Sequence, residues 1–153
     1  MIRRLPVLFS VLAATVAFAA PASADGATSM TQNFHGAFPP MHVTPLCGNA
    51  APGGMLFATG NAVFHVTVNG AGDVWITTTQ EASFTLIPDS GTVTYTGHFV
   101  IWFGLSMNKS NLVAHDIFNV HATGSDGSTI SLNIVDHLSV SASGQVNMFM
   151  DCG

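Results

Sequence analysis

The sequence predicts an all-β protein built as an antiparallel up-and-down meander, with a small closed β-barrel favoured over a β-sandwich. Three observations carry this prediction. From residue 55 onward, apolar and polar residues alternate with a period of two. Thr, Val, Ile and Phe dominate these stretches, and turn residues separate them at intervals of ten to eighteen positions. The length of 153 residues fits a single domain.

The first 24 residues have the pattern of a secretory signal peptide. Arg3 and Arg4 form a basic start, an apolar stretch follows over residues 5–20, and Ala22-Ser23-Ala24 is a small-x-small cleavage site. A membrane anchor is the alternative, but the stretch is shorter than the ~20 residues of a spanning helix. We therefore expect cleavage near Ala24, a secreted protein and no membrane span.

Net charge excludes two classes of partner. Without residues 1–24, the chain has one basic side chain (Lys109) against eight acidic ones, a net charge of −7 with neutral histidines. One lysine cannot neutralise a phosphate backbone, so no nucleic-acid partner is expected. Attraction to anionic lipid is equally disfavoured.

The two cysteines predict one structural disulfide. Cys47 and Cys152 are the only pair, and an oxidising compartment outside the cell favours a bridge between them. The bridge would tie the second-last residue to the start of the domain. A metal site needs more ligands than these two thiols supply.

Strand boundaries follow from the alternation and the turns. Residues 25–54 form an N-terminal segment with one short candidate strand, Met30 to Phe38, and a loop rich in Pro and Gly. Residues 55–153 form the barrel domain. Gly127 and Gly144 end three-residue loops at positions that favour a positive φ. The six strands predicted in this domain cover residues 55–69, 73–87, 91–106, 111–124, 128–142 and 145–152.

Registers follow from matching apolar residues across neighbouring antiparallel strands, because opposed residues share a face of the sheet. One face is then apolar along all six strands. Closure of the sheet with the N-terminal segment would remove its edges and place that face inside. The matched pairs include Val66 with Ile76, Phe84 with Tyr95, Ile76 with Phe103, Phe103 with Ala114, Phe118 with Ile134, and Val140 with Val146.

The apolar face contains two acidic residues. The predicted register places Asp116 directly opposite Asp136, with Thr78 in the same row, Gln80 one row away and Tyr95 on the same face. Two facing carboxylates in an apolar interior predict a raised pKa for one of them, and hence a shared-proton acid pair. The alternative is that a bulge turns them outward, or that they are hydrated at the barrel mouth.

The opposite face carries polar rows and two tryptophans. Glu81 faces His98 within one row, and His115 faces His137 within the next, which also holds Trp102. Two imidazoles can share a metal, but no third ligand is in reach, so no metal site is predicted. The complete rows are Asn61, Glu81, His98, Asn119 and Asn133, then His65, Thr77, Trp102, His115, His137 and Phe149.

Trp75 lies diagonal to Trp102 in the predicted register. Two exposed indoles on a surface of Thr, Ser and Asn form a stacking platform for sugar rings. The alternative is that the N-terminal segment or a second subunit covers them.

Three segments and the C-terminus resemble those of a known group of proteins. They are residues 97–104 (GHFVIWFG), residues 124–128 (GSDGS), residues 137–144 (HLSVSASG) and the closing Asp151-Cys152-Gly153. The chain resembles a group of small exported bacterial β proteins, which implies secretion and a β fold and supplies no catalytic residues. At the level of the fold alone, a closed barrel with acids inside is similar to allene oxide cyclase and dirigent barrels.

Two functions follow as hypotheses. The first is a secreted, non-catalytic binding or interaction module for a small apolar ligand or a glycan. The second is a cyclase- or isomerase-like enzyme with Asp116 and Asp136 as general acid and base. Neither requires a cofactor, and no phosphate-binding glycine loop, G-x-S-x-G or H-E-x-x-H motif is present. Ligand identity and oligomeric state stay open.

Overall fold

The computed structural model describes residues 26–153, so the predicted signal peptide lies outside the described residues. These residues form one antiparallel sheet of eight strands, with a short 3-10 turn at Cys47–Asn49. The strands are β1 (Thr28–Ala37), β2 (Met41–Val43), β3 (Gly54–Val68), β4 (Val74–Pro88), β5 (Tyr95–Met107), β6 (Leu112–Gly124), β7 (Thr129–Val140) and β8 (Val146–Cys152).

The sheet is a meander with two edges. β1 and β2 both pair with β3, and β3 to β8 follow one another in chain order. The all-β antiparallel meander is therefore confirmed. β1 and β8 do not pair with each other within residues 26–153, so closure into a barrel is not confirmed.

The six predicted strands correspond to β3 to β8, and the candidate strand in the N-terminal segment is β1. The largest difference in bounds is at β5, which begins at Tyr95 rather than at residue 91. β2 was not predicted, because three residues between prolines are too few to show alternation. Gly127 and Gly144 have φ values of 86° and 78°, as their loops require.

Three of the five predicted registers are correct, including Phe118 with Ile134. The β4–β5 and β5–β6 registers are wrong by two residues: Phe84 faces Gly97, and Phe103 faces Asp116. A shift of two preserves the faces, so alternation alone cannot detect it. The Asn108 side chain, which accepts hydrogen bonds from two backbone N–H groups of the β5–β6 loop, fixes the turn one residue later.

The sheet curls strongly at one end. In a flat sheet, the six strand spacings from β2 to β8 would span about 29 Å. The disulfide between Cys47 and Cys152 instead brings their Cα atoms to 5.9 Å, which confirms the predicted pairing. Gly97 permits close packing in this half, because a Cβ there would collide with the backbone of His121 and Ala122.

The apolar core occupies this same end. Phe84, Leu86, Phe99, Val120 and Ile134 are buried on the face that we call the inner face. It consists of the even-numbered residues of all strands except β2 and β5, where it consists of the odd-numbered ones. The inner face at the other end is more open: Met148 and Met150 on β8 are 55% and 60% exposed.

Among residues 26–153, no helix is long and apolar enough to cross a membrane.

Candidate ligand-binding site

A cavity of about 130 Å³ lies between the inner face and the segment that connects β1 to β3. We call residues 38–52 the strap. Six of the sixteen residues that line the cavity belong to the strap, including Phe38, Met41 and Leu46. The inner face supplies most of the rest. The strap therefore covers part of the cavity on the side that the sheet leaves open.

The strap is fastened at several points. Its first residue, Phe38, donates a backbone hydrogen bond to the Ala58 carbonyl oxygen at 2.9 Å. His42 Nε2 lies 2.8 Å from Asp89 Oδ1 in the β4–β5 loop. Cys47 is bonded to Cys152 at the end of β8. Because these contacts join the strap to both halves of the sheet, the cavity has a defined wall.

Aromatic rings form the floor of the cavity. The Phe84 and Phe99 ring centroids are 6.0 Å apart, and those of Phe99 and Phe118 are 5.9 Å apart, in tilted arrangements. All three rings line the cavity. Such tilted pairs pack favourably and present apolar surface to any occupant.

Gln80 is the one polar side chain among the residues that line the cavity. It lies on β4, faces Ile101 on β5, and is 4% exposed. A primary amide offers two N–H donors and one carbonyl acceptor. The cavity thus combines an apolar wall with a single hydrogen-bonding position, the usual composition of a small-molecule site.

The paired aspartates lie one row beyond Gln80. Asp116 on β6 is directly opposite Asp136 on β7, as predicted, and Thr78 shares their row across Phe103. Pairing between β6 and β7 is unbroken from Leu112 to Thr123, so no bulge turns the carboxylates outward. The two errors of register offset each other, which is why Thr78 stays in this row.

Three buried oxygens in this row have no hydrogen-bond partner: Thr78 Oγ1, Asp116 Oδ1 and Asp136 Oδ1. Burial without a partner is costly for a hydroxyl and more so for a carboxylate. Desolvation by burial is the main cause that raises the pKa of Asp116 to about 6, and the charge of Asp136 raises it further. A carboxyl with such a pKa can exchange a proton near neutral pH.

Tyr95 shares the inner face but lies apart from this row. It is the first residue of β5, pairs with Leu86 and packs against the core. Its hydroxyl accepts a hydrogen bond from Ser128 Oγ at 3.3 Å. The structure therefore does not bring Tyr95 to the aspartate pair.

The structure does not place the two tryptophans of the outer face side by side, as the predicted platform requires. Trp75 faces Ser106, and Trp102 faces Thr79 and Ile117, so the two indoles are not diagonal neighbours. The β4–β5 register error is the reason. Both side chains are exposed, Trp75 at 42% and Trp102 at 39%.

The pairing of Glu81 with His98 was also wrong. Glu81 faces Val100, and His98 faces Ser83 and His121. Glu81 Oε1 instead accepts a hydrogen bond from Asn61 Nδ2 at 2.9 Å, and Asn61 Oδ1 lies 2.6 Å from His35 Nδ1. Sequence reasoning missed His35, because the Pro- and Gly-rich loop after β1 sets no register between β1 and β3.

The second polar row is partly as predicted. His115 on β6 faces His137 on β7, which faces Phe149 on β8, but Gly104 rather than Trp102 occupies the β5 position. No group of three or more His, Cys, Asp or Glu side chains suited to a metal occurs within the described part of the chain.

The cavity-lining residues of the strap were not predicted as site residues. Phe38, Met41 and Leu46 are apolar residues in a loop rich in Pro. The available signal was this apolar content, since an exposed loop has little use for large apolar side chains.

No family model matches this chain, and neither a curated protein nor a solved structure matches it.

Proposed function

We propose that this protein is a secreted binding module that holds a small, mainly apolar ligand in the cavity beneath the strap. The main support is an apolar cavity of about 130 Å³ with one buried amide, that of Gln80, in its wall. In this account the curled sheet, whose edges are tied at one end by the disulfide, serves as a barrel-like container.

Cavity size limits the ligand. An apolar protein cavity of about 150 Å³ can stay dry and take up benzene or xenon. The present cavity is of that order, so a ligand the size of one substituted aromatic ring fits it. The amide of Gln80 favours a ligand with one hydroxyl or amine over a plain hydrocarbon.

The negative charge of the protein limits which polar group the ligand can carry. Asp116 and Asp136 occupy the row next to that of Gln80, and eight acidic side chains give the whole chain a negative balance. A ligand carboxylate or phosphate near this row would meet like charge. The proposed ligand therefore carries a neutral or cationic polar group.

A titration series tests this proposal. Benzene, phenol, benzylamine and benzoate are added to isotopically labelled protein, and chemical shifts of cavity residues are followed by NMR. We expect phenol and benzylamine to bind more tightly than benzene, and benzoate to bind most weakly. In the Gln80→Leu variant, the advantage of phenol over benzene should fall to less than twofold.

Controls locate the binding. Ala58 lines the cavity and is 9% exposed, so Ala58→Leu fills the space and should abolish binding of all four compounds. Thr59→Leu adds the same side chain to the exposed outer face of the same strand and should leave binding unchanged. Absence of binding by the unmodified protein at millimolar ligand, or equal binding by Ala58→Leu, would overturn the proposal.

A second candidate function is proton transfer by the aspartate pair, as in a cyclase or isomerase. The raised pKa of Asp116 favours it, because a protonated Asp116 can donate a proton, and the carboxyl group of Asp136 lies directly opposite it. In this case the substrate extends from the cavity to the aspartate row, because neither aspartate lines the cavity itself. The discriminating measurement is turnover of bound compounds: Asp116→Asn and Asp136→Asn should each abolish turnover while retaining binding.

A further inference from the structure

Two cross-strand histidine pairs lie on the outer face, and a hydrogen bond joins the rings of one of them. His115 Nδ1 is 3.2 Å from His137 Nδ1, and the two rings are nearly perpendicular with centroids 4.8 Å apart. His98 faces His121 in the same way across β5 and β6, but His121 Nδ1 lies 3.1 Å from Ser131 Oγ instead. The close approach of two Nδ1 atoms is therefore specific to the pair of His115 and His137.

The separation of His115 and His137 suits two ligands of one metal ion. Imidazole nitrogens bind Zn²⁺ at about 2.0–2.1 Å, so two of them at an angle between 90° and tetrahedral stand about 2.9–3.4 Å apart. The observed 3.2 Å falls within this window. Lone pairs that converge on such an ion also place the ring centroids about 5 Å apart, close to the 4.8 Å observed.

Apolar side chains flank the pair on both sides. Gly104 faces His115 from β5, and the indole of Trp102 lies over it, since a Cβ at Gly104 would approach Trp102 Cη2 to 2.8 Å. Phe149 faces His137 from β8. The rings thus stand between two aromatic groups on a regular sheet, which holds their Cα positions and limits the entropy lost when an ion binds.

We propose that His115 and His137 form a two-histidine site for one divalent transition-metal ion of the Zn²⁺ or Cu²⁺ type. Their Nδ1 atoms supply two adjacent ligands, and water completes the coordination. Imidazole is suited to these ions, whereas Mg²⁺ and Ca²⁺ require oxygen ligands. In the metal-free protein, one Nδ1–H donates a hydrogen bond to the other Nδ1. When the ion binds, that proton passes to Nε2 of the same ring through water, so both rings stay neutral and both Nδ1 lone pairs coordinate the ion.

Copper titration tests the proposal, with Trp102 as reporter. The Trp75→Phe background leaves Trp102 as the only tryptophan, and Cu²⁺ bound beside it should quench its fluorescence with a stoichiometry of one ion per chain. His115→Thr and His137→Thr should each weaken this binding at least tenfold. These exposed or half-exposed strand positions accept threonine without loss of the fold.

The control is the His98→Thr/His121→Thr double variant, which removes both imidazoles of the other pair, one more than either test variant, and should leave quenching unchanged. Electron paramagnetic resonance of the copper-loaded protein should show two coupled nitrogens, falling to one in His137→Thr. Equal weakening in the control, an unchanged affinity in His115→Thr and His137→Thr, or no saturable quenching below millimolar Cu²⁺ would overturn the proposal. Mg²⁺ should neither bind nor compete.

Discussion

Asp116 and Asp136 lie directly opposite each other on neighbouring strands, and one oxygen of each carboxyl is buried without a hydrogen-bond partner. Such an arrangement is costly when both groups are ionised, because each loses hydration and repels the other. The cost is smallest when one of them carries a proton. The charge of the row next to the cavity therefore depends on pH.

The first prediction concerns the titration of Asp116. Its pKa should be about 6, and Asp136→Asn should lower it only in part, because burial is the larger cause and the charge of Asp136 the smaller. The measurement is the carboxyl carbon chemical shift of Asp116 as a function of pH. A midpoint near 4 in the unmodified protein would contradict a buried position for this carboxyl.

The second prediction concerns stability as a function of pH. The folded-state pKa of Asp116 is raised from 3.8 to about 6, so the folded protein binds more protons than the unfolded chain between these values. The contribution of this group to the free energy of unfolding is therefore largest below pH 4 and is lost as pH rises to 6. The loss should be about 1–2 kcal/mol, less than full linkage gives, because the carboxyl is partly solvated.

Asp116→Asn is the variant for this measurement. It should remove most of the decline between pH 4 and pH 6 and should raise stability at pH 7 by about 1 kcal/mol, since the partly buried charge of Asp116 is removed. Urea unfolding at several pH values gives both quantities. Asp126→Asn serves as a control for general charge effects, because Asp126 is exposed and its pKa is lowered by hydrogen bonds from Ser128. An unaltered decline in Asp116→Asn would assign the effect to another group.

The third prediction concerns Thr78, whose side chain is 1% exposed and whose hydroxyl has no partner. Thr78→Val retains the shape and removes the unsatisfied oxygen, so it should stabilise the protein by about 1 kcal/mol. Thermal unfolding compares it with Thr79→Val on the exposed outer face, which should change stability by less than about 0.5 kcal/mol. A loss of more than about 1 kcal/mol in Thr78→Val would show that the hydroxyl has a partner.

The fold could be predicted from the sequence where alternation and turn chemistry agree. β6 and β7 illustrate this, because matching Phe118 to Ile134 leaves a short loop that ends at Gly127, and the pairing is correct. For β4 and β5 the alternation permits two registers with the same faces, and the connection over residues 89–94 does not select between them. Gly97 has no side chain and therefore leaves room beside Phe84. The alternation of apolar and polar residues carries no information on side-chain size, so it could not predict this packing.

The aspartate pair was predictable because Asp116 and Asp136 interrupt an apolar face in a register that the loop fixes. The cavity was not, since much of its enclosure comes from the strap. Met41 and Leu46 lie in a segment without period, and their position depends on the disulfide and on the contact of His42 with Asp89. Contacts between residues far apart in the chain determine this wall, and local patterns do not record them.

The fourth prediction concerns the disulfide, which closes a loop with a sequence separation of 105 residues. Replacement of Cys47 and Cys152 by alanine should lower the free energy of unfolding by about 2–5 kcal/mol, mainly by releasing the unfolded chain. It should also weaken ligand binding, because the strap loses its bond to β8. Equal stability and binding in the double variant would show that the remaining strap contacts suffice.

The most direct test of the central claim is a crystal structure of the protein under xenon pressure, followed by one with phenol. We predict xenon density among the rings of Phe84, Phe99 and Phe118, and phenol in the same place with its hydroxyl toward Gln80. Density confined to the outer face near Trp75 and Trp102, or no density at saturating phenol, would contradict the proposal that the space beneath the strap is the binding site.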